Sequence, residues 1–449
     1  MSFHPMRRIP AGVWLMLAVM IPLPLSALQS GPDSLAELLD RVLGTHPALD
    51  AARGRADAAY ARVLQAGALP DPTVGVALRS LPLSSFDPSA EGMTMLAFEG
   101  MQRLPPRGLR AARSAEALAW AQAADSKIEI VNWDLTVRLS EAYFELLLVE
   151  EALVVHHRTV STLEAFAASA EAAYTEGLAP QQDMLRAQTE LAVIEEHLAQ
   201  LRQRQGRALA ELNTMLDRDL RASLQPEMPE RLERLIASDP GLGMLTTRLT
   251  DAELGPGYQT LAELEEQALT HRPELRLAEL QVEAARHRVE AARRDRRPAI
   301  ALTGGYGMRS GRSDVVSLGV SVELPVHRDS RQDLALDEAR GLAEAERQAS
   351  DVTRRDVQRE VGQAHAELIE ARERLILLSD GVIPQARAAV ESAAAAYRTG
   401  AGDFVRLMEV QTVLFRNEIQ RAHLTADLGR MLVRLERSVG AEIQLEADR

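Results

Sequence analysis

The stretch "AYTEGLAPQQDML", Ala173–Leu185, interrupts a long run rich in Ala, Glu, Arg, Leu and Gln, and its Gly177 and Pro180 are the residues that break it. A second stretch, "AYRTGAGDFVRLM", Ala396–Met408, repeats the Ala-Tyr-x-x-Gly opening inside another long helical run. Glycine supplies the left-handed conformation in which helices commonly end. Proline is tolerated in a first helical turn, where its missing N–H has no partner to lose. In the second stretch Gly400 and Gly402 are the turn residues, and Asp403 is placed to cap the helix that follows. Both breaks therefore predict a helical hairpin with its tip at the glycine. The tip residues are Gly177, Leu178 and Pro180 in one, and Gly400, Gly402 and Asp403 in the other.

Working outward, the two tips belong to a tandem repeat. "SLAELLDRVLGTHPALDAARGRADAAYARVLQAGALPDP", from Ser34, aligns without a gap on "TLAELEEQALTHRPELRLAELQVEAARHRVEAARRDRRP", from Thr260. Pro47 falls on Pro273 and Pro72 on Pro298, an offset of 226. At the tips Gly177 falls on Gly400, Gln188 on Gln411 and Thr189 on Thr412, an offset of 223. The expected division is residues 1–27 as an export signal, 28–225 and 260–440 as the two repeats, 226–259 as an equatorial linker and 441–449 as a tail.

Each repeat reads in the same order: a short helix, a proline, a second helix, two short segments of strand character, a very long helix, the glycine break and a return helix. "VSLGVSVEL", Val316–Leu324, alternates apolar and small or polar residues with a period of two. "TVGVALRSL" from Thr73, "MTMLAFEGM" from Met93 and "AIALTGGYG" from Ala299 alternate less regularly. The helix from Pro105 to Glu176 would be about 105 Å long, and the two shorter helices of that repeat, end to end, about 92 Å. Each half therefore predicts one long helix packed antiparallel to two stacked shorter ones, with the Pro/Gly-rich linker at their waist.

The chain has no cysteine, which excludes disulfides, thiolate metal sites and a lipidated N-terminal Cys. Its formal net charge is -14 over 449 residues, with a single lysine, Lys127, so a nucleic-acid footprint is not expected. Arg7 and Arg8 precede the apolar run "AGVWLMLAVMIPLPLSA", which reads as a secretory signal cleaved near Ala27. Removing it takes away two arginines and no acid, leaving -16. No later segment holds the run of about 18 apolar residues that a membrane helix needs. Period-two strands in an exported chain then point to a closed membrane barrel, because open sheet edges cannot sit in lipid. Four strands are too few for one barrel; three chains together would provide twelve.

With these residues in place the chain resembles the TolC family of outer-membrane efflux channels, over nearly all of Ser34 to about Gly440. The resemblance rests on "THPAL" and "THRPEL" at the helix starts, on the two Tyr-x-x-Gly tips followed by Gln188-Thr189 and Gln411-Thr412, and on two strands per half. "LPDPTVGVALRSLPLSSFDPSAEGMTMLAFEGMQRLPPRGLRAARS", Leu69–Ser114, is similar to the heavy-metal-efflux branch in its order of Asp-Pro, Leu-Pro, Ser-Phe, Met-Thr-Met and Gln-x-x-Pro-x-Gly. The resemblance implies a mainly α homotrimer with a twelve-stranded β-barrel in outer-membrane lipid, continued by a helical periplasmic tunnel. It implies docking on a periplasmic adaptor and an inner-membrane pump of RND type, with no chemistry and no cofactor. Two departures stand out. Many relatives carry a lipidated N-terminal Cys that is absent here. Of two acidic positions in the second tip helix of the best-known member, Glu409 keeps its sign and Arg406 replaces the other.

No Walker loop, nucleophile elbow or His-Glu-x-x-His motif is present, so no enzyme, metal centre or cofactor site is expected. His156-His157 and Glu195-Glu196-His197 lack the i, i+4 geometry of a helical metal site and read as solvated helix face. Met93, Met95 and Met101 read as strand packing or lipid contact. Aligning the tips sets Asp183 on Arg406 and Arg186 on Glu409, opposite signs in each case. Within each helix the two charges are three residues apart and share a face. These four are the candidate periplasmic gate. The alternatives to a channel are a periplasmic adaptor, which should carry one hairpin flanked by all-β domains, and a structural coiled coil.

Overall fold

A computed structural model describes residues 33–82, 86, 91–237 and 259–444. The signal-like segment 1–27 and residues 238–258 of the linker lie outside them.

The first repeat begins with α1 (Leu35–Thr45), started by Ser34, whose hydroxyl accepts from the Glu37 N–H, and with α2 (Pro47–Gly67). Strands β1 (Thr73–Arg79) and β2 (Met95–Leu104) follow, then the 67-residue α3 (Leu109–Thr175) and the return helix α4 (Gln181–Met215). The linker contains a helix that the sequence reading did not anticipate, α5 (Glu230–Ala237). The second repeat gives α6 (Leu261–His271), entered through a Thr260–Glu263 capping box, then α7 (Pro273–Asp295), β3 (Ala299–Met308) and β4 (Val315–Glu323). Pro47 and Pro273 both stand in first turns, where the lost donor is harmless.

The second long arm differs from expectation. It is α8 (Gln332–Ile376), a π-helical turn (Leu377–Val382) and α9 (Ile383–Arg398), of 45, 6 and 16 residues, which matches α3 in length. The cause is Pro384. It has no N–H for the carbonyl one turn back and its ring crowds that carbonyl. The backbone widens there, and the Ile383 N–H reaches Leu378, five residues back. The chain ends in α10 (Phe404–Val439).

Packing follows the lengths. α2 runs antiparallel along the sheet-proximal half of α3, with Arg110 donating to Gly67 O at 2.8 Å and Ser114 to Val63 O at 3.2 Å. α4 returns along the distal half, where Arg204 meets Glu145 at 2.7 Å. α7 and α10 stack in the same way on the other flank of α3 and continue onto α8 and α9. The main core lies at the waist, around Tyr143, Leu146, Leu212, Leu368 and Leu428. There α5 inserts Leu232 and Leu235. Arg231 of α5 pairs with Glu436 at 2.6 Å and donates to Ile443 O at 2.7 Å, tying linker, last helix and tail together. The buried Tyr143 hydroxyl lies 3.0 Å from Asp33 O and 2.7 Å from Glu227 O, and it accepts from the Glu227 N–H. Burial pushes its pKa up to about 12.

The four strands form one antiparallel sheet in the order β1-β2-β3-β4, so β1 and β4 are free edges among the described residues. The register sorts the side chains by face. Val76, Phe98, Tyr306 and Val316 are aligned across the strands, as are Leu78, Leu96 and Met308. Val74, Leu302, Leu318, Val320 and Val322 share that apolar face. The opposite face carries Arg79–Glu99 and Arg103–Glu323 ion pairs, each 2.5 Å, together with Thr303, Ser317 and Ser321. Met95 and Met101 lie on this polar face too, so of their two readings strand packing holds and lipid contact does not: β2 alternates, and odd positions share the side of Glu99 and Arg103. Among the described residues no helix is long and apolar enough to cross a membrane.

Candidate functional site

The two tips are built alike. In the first, the Leu178 N–H returns to Ala173 O at 2.8 Å and the Gly177 N–H to Tyr174 O at 3.0 Å. In the second, the Ala401 N–H returns to Ala396 O and the Gly400 N–H to Tyr397 O, both 3.0 Å. This is the double bond of a helix ending in a left-handed residue. Gly177 and Gly400 have φ of 74° and 71°. Pro180 occupies the cap position just before α4 rather than its first turn, in extended conformation. Asp403 caps α10, accepting from the Val405 N–H at 3.1 Å. Gly402 passes so close to the backbone of Ala396 and Tyr397 that a Cβ would stand 2.9 Å from them. Leu178 projects outward, 78% exposed.

Inside the hairpins a small core joins Leu163, Ala170, Ala187 and Ile194 to Phe404, Leu407 and Met408. Here the four proposed gate residues part company. Arg406 and Glu409 are exposed and 3.8 Å apart, and Arg186 is exposed. Asp183 is only 6% exposed. It shares the inward face of α4 with Ala187 and Ile194, so it does not present its charge beside Arg186 as expected. Burial holds its carboxyl above the usual range, and the charge of Asp403 adds to the shift. Tyr397 packs on Phe404 with ring centroids 5.1 Å apart. Its hydroxyl is buried without a hydrogen-bond partner and its pKa is raised, by burial first and by Asp183 second. The Asp183–Asp403–Tyr397 grouping was missed in the sequence. Tyr397 and its counterpart Tyr174 both precede a tip glycine, but only the second repeat places Phe404 beside the turn, where the first has Gln181.

Other candidates resolve differently. His156 is buried, not solvated. Its Nδ1 lies 2.8 Å from Ala152 O and its ring stands edge-on to Phe415 at 4.9 Å and to His197 at 6.1 Å. Burial lowers its pKa, so it packs as a neutral ring. His157, Glu195 and Glu196 are exposed and His197 is half-buried. Among the described residues no three His, Asp or Glu side chains are grouped to hold a metal.

Long helical arms continue from a sheet with one largely apolar face and one face that carries its ion pairs, the arrangement of a channel-forming protein of the outer-membrane type. The chain belongs to the outer membrane efflux protein family, whose model matches residues 38–218 and 264–441, one match per repeat. That membership makes it a TolC-family outer-membrane channel for efflux and sets aside the adaptor and plain coiled-coil readings. The fold is that of the outer-membrane channel OprN (21% identity, TM-score 0.72, 91% of this chain and 90% of that one). It is also that of the transmembrane channel CusC (16%, 0.74, 96% and 99%) and of the outer-membrane protein VceC from Vibrio cholerae (16%, 0.73, 91% and 96%). Among curated proteins none matches.

Proposed function

We propose that three copies join β4 of one chain to β1 of the next, closing a twelve-stranded barrel in the outer membrane above a tunnel of long helices. The tips dock a periplasmic adaptor, which links the tunnel to an inner-membrane pump of RND type. The channel passively conducts what the pump exports, with heavy-metal cations as the first cargo to test, given the family-branch resemblance of Leu69–Ser114. The observation that carries the reading is the sheet itself. It has two free edges and a face of bare Val, Leu, Ile and Phe, which is unstable in water and needs both closure and lipid. The tips support docking because Gly177, Leu178, Gly400 and Gly402 lie at the end of the arms furthest from the sheet.

The test is mass measurement in mild detergent together with heat-modifiable migration and outer-membrane fractionation. Three chains per particle are expected, and a stable monomer with intact strands would overturn closure. Bulky replacement of Gly177 or Gly400 should reduce crosslinking to the adaptor. Unchanged crosslinking and unchanged metal tolerance in a well-folded variant would reject docking by the tips.

A further inference from the structure

The sheet-to-helix junctions carry a regular charge pattern that neither conduction nor docking uses. On the apolar face the last residue toward the helices is Leu104 on β2 and Ile300 on β3, while Leu324 follows β4 directly. Arg107 lies three residues beyond Leu104, Arg297 three residues before Ile300, and His327 and Arg328 three and four residues beyond Leu324. At the strand rise this places a cation within about 10 Å of the end of the apolar band. That is the depth of the headgroup layer flanking the hydrocarbon core. The fourth junction is the exception, with Asp71 three residues before Val74.

Arg107, Arg297 and Arg328 are all exposed. Arg107 and Arg297 form no ion pair among the described residues, and Arg328 shares Asp333 with Arg296, so one carboxylate serves two cations. Next to them Arg293 and Arg294 both hold Glu290, whose carboxyl is kept below its usual range by Arg294 first, with Arg293 and Arg297 adding. A chain of net charge -14 thus concentrates positive charge at one height, where its lipid-facing surface ends.

We infer that Arg107, Arg297 and Arg328 form a collar that binds the phosphate headgroups of anionic phospholipids in the periplasmic leaflet. The inference rests on the outer-membrane reading and adds a lipid preference to it. Guanidinium groups suit phosphate through paired N–H donors, and basic clusters beside a membrane segment select anionic lipid.

The test is lipid selectivity of the full-length trimer in phosphatidylcholine bilayers, read with spin-labelled phosphatidylglycerol against spin-labelled phosphatidylcholine. The expected preference for phosphatidylglycerol is about threefold or more, weakened by salt. It should fall to parity in R107Q/R297Q/R328Q. It should persist in R107K/R297K/R328K and in the arm variant R340Q/R347Q/R359Q. Equal association of the two lipids with the unmodified trimer, or an unchanged ratio in the Gln triple variant, overturns the collar. Inorganic phosphate should act only as its ionic strength dictates, and specific displacement by phosphate would make this an ion site and overturn the lipid assignment. Single-channel conductance of the same preparations separates the two readings: a conducting channel without lipid preference removes the collar and leaves the channel standing.

Discussion

Asp183 is the residue whose chemistry most affects the tip. Its folded-state pKa is raised, so the packed tip favours the protonated form. Below the unfolded-state value both states hold the proton and the residue costs nothing. As pH rises from there through the raised folded value the cost grows, and above it the full cost of a buried charge beside Asp403 is present. The protection factors of the tip amides, corrected for the intrinsic pH dependence of exchange, should therefore rise as pH falls through the acid range, and Asp183→Asn should remove that rise. Parallel pH profiles for the two proteins would show that Asp183 is not the titrating group. Gly429 gives a prediction of another kind. α10 crosses α3 so closely there that a Cβ would overlap the ring of Phe144. Gly429→Ala should cost about 1–3 kcal/mol, read as a lowered Tm in detergent. The sequence held no sign of this. Gly206 is equally helical and has nothing within 4 Å of a built Cβ. What separates the two glycines is a partner helix nearly three hundred residues away in the chain. Gly177 and Gly400 were legible because their constraint is local, a helix end with a turn to make.

At the scale of elements, local chemistry again decided what could be read. The strand Val316–Leu324 declared itself by alternation, and the second helix of each repeat by Pro47 and Pro273. α5 did not, because a helix of 8 residues among prolines has little period to show, and it is held by Leu232 and Leu235 entering a core made by other elements. The π-turn had a visible cause in Pro384, but the helical composition on both sides concealed that the backbone would widen rather than stop. Beyond that turn the second hairpin is fastened to α3 by one carboxylate. Glu418 of α10 is buried between Arg158 of α3 at 2.5 Å and Arg387 of α9 at 3.0 Å. Both arginines reach solvent, so the bonds are worth less than a fully buried triad. Glu418→Gln should still cost about 1–3 kcal/mol, since it leaves two cations facing each other with their shared acceptor neutralised. Faster amide exchange in α9 and α10 than at the waist would locate the loss in the arm. Uniform exchange, with Tm unchanged, would show that the three-helix clasp contributes nothing.

For the whole molecule, the repeat and the lengths of its helices were enough to foresee two long arms, each flanked by stacked pairs. The side of the sheet on which each residue falls needed the cross-strand register, which is why the sequence left Met95 and Met101 between strand packing and lipid contact. The same limit applied to the tip charges: an i, i+3 spacing says that two side chains are neighbours, not that both face water. The proposed gate becomes smaller. Asp183 is withdrawn into the tip core, leaving Arg186, Arg406 and Glu409 on the outside. Glu409 lies 3.8 Å from Arg406 on its own helix, a distance at which an exposed pair holds only weakly, so it is free to exchange partners with an arginine on a neighbouring arm. In a trimer three such sets would meet at the tunnel's end. Each exposed pair contributes about 0–1 kcal/mol, so one pair could not close the tunnel alone, whereas several acting together bias an open–closed equilibrium that salt would weaken. Reversing Arg186 and Arg406 to Glu turns those attractions into repulsions around Glu409. The resting single-channel conductance in a planar bilayer should rise, and its dependence on salt should change sign, because screening would now favour closure. The single reversals should give smaller increases of the same direction, while R186K/R406K should behave as the unmodified channel. If the double reversal leaves both the conductance and its salt dependence as they were, these charges do not close the tunnel.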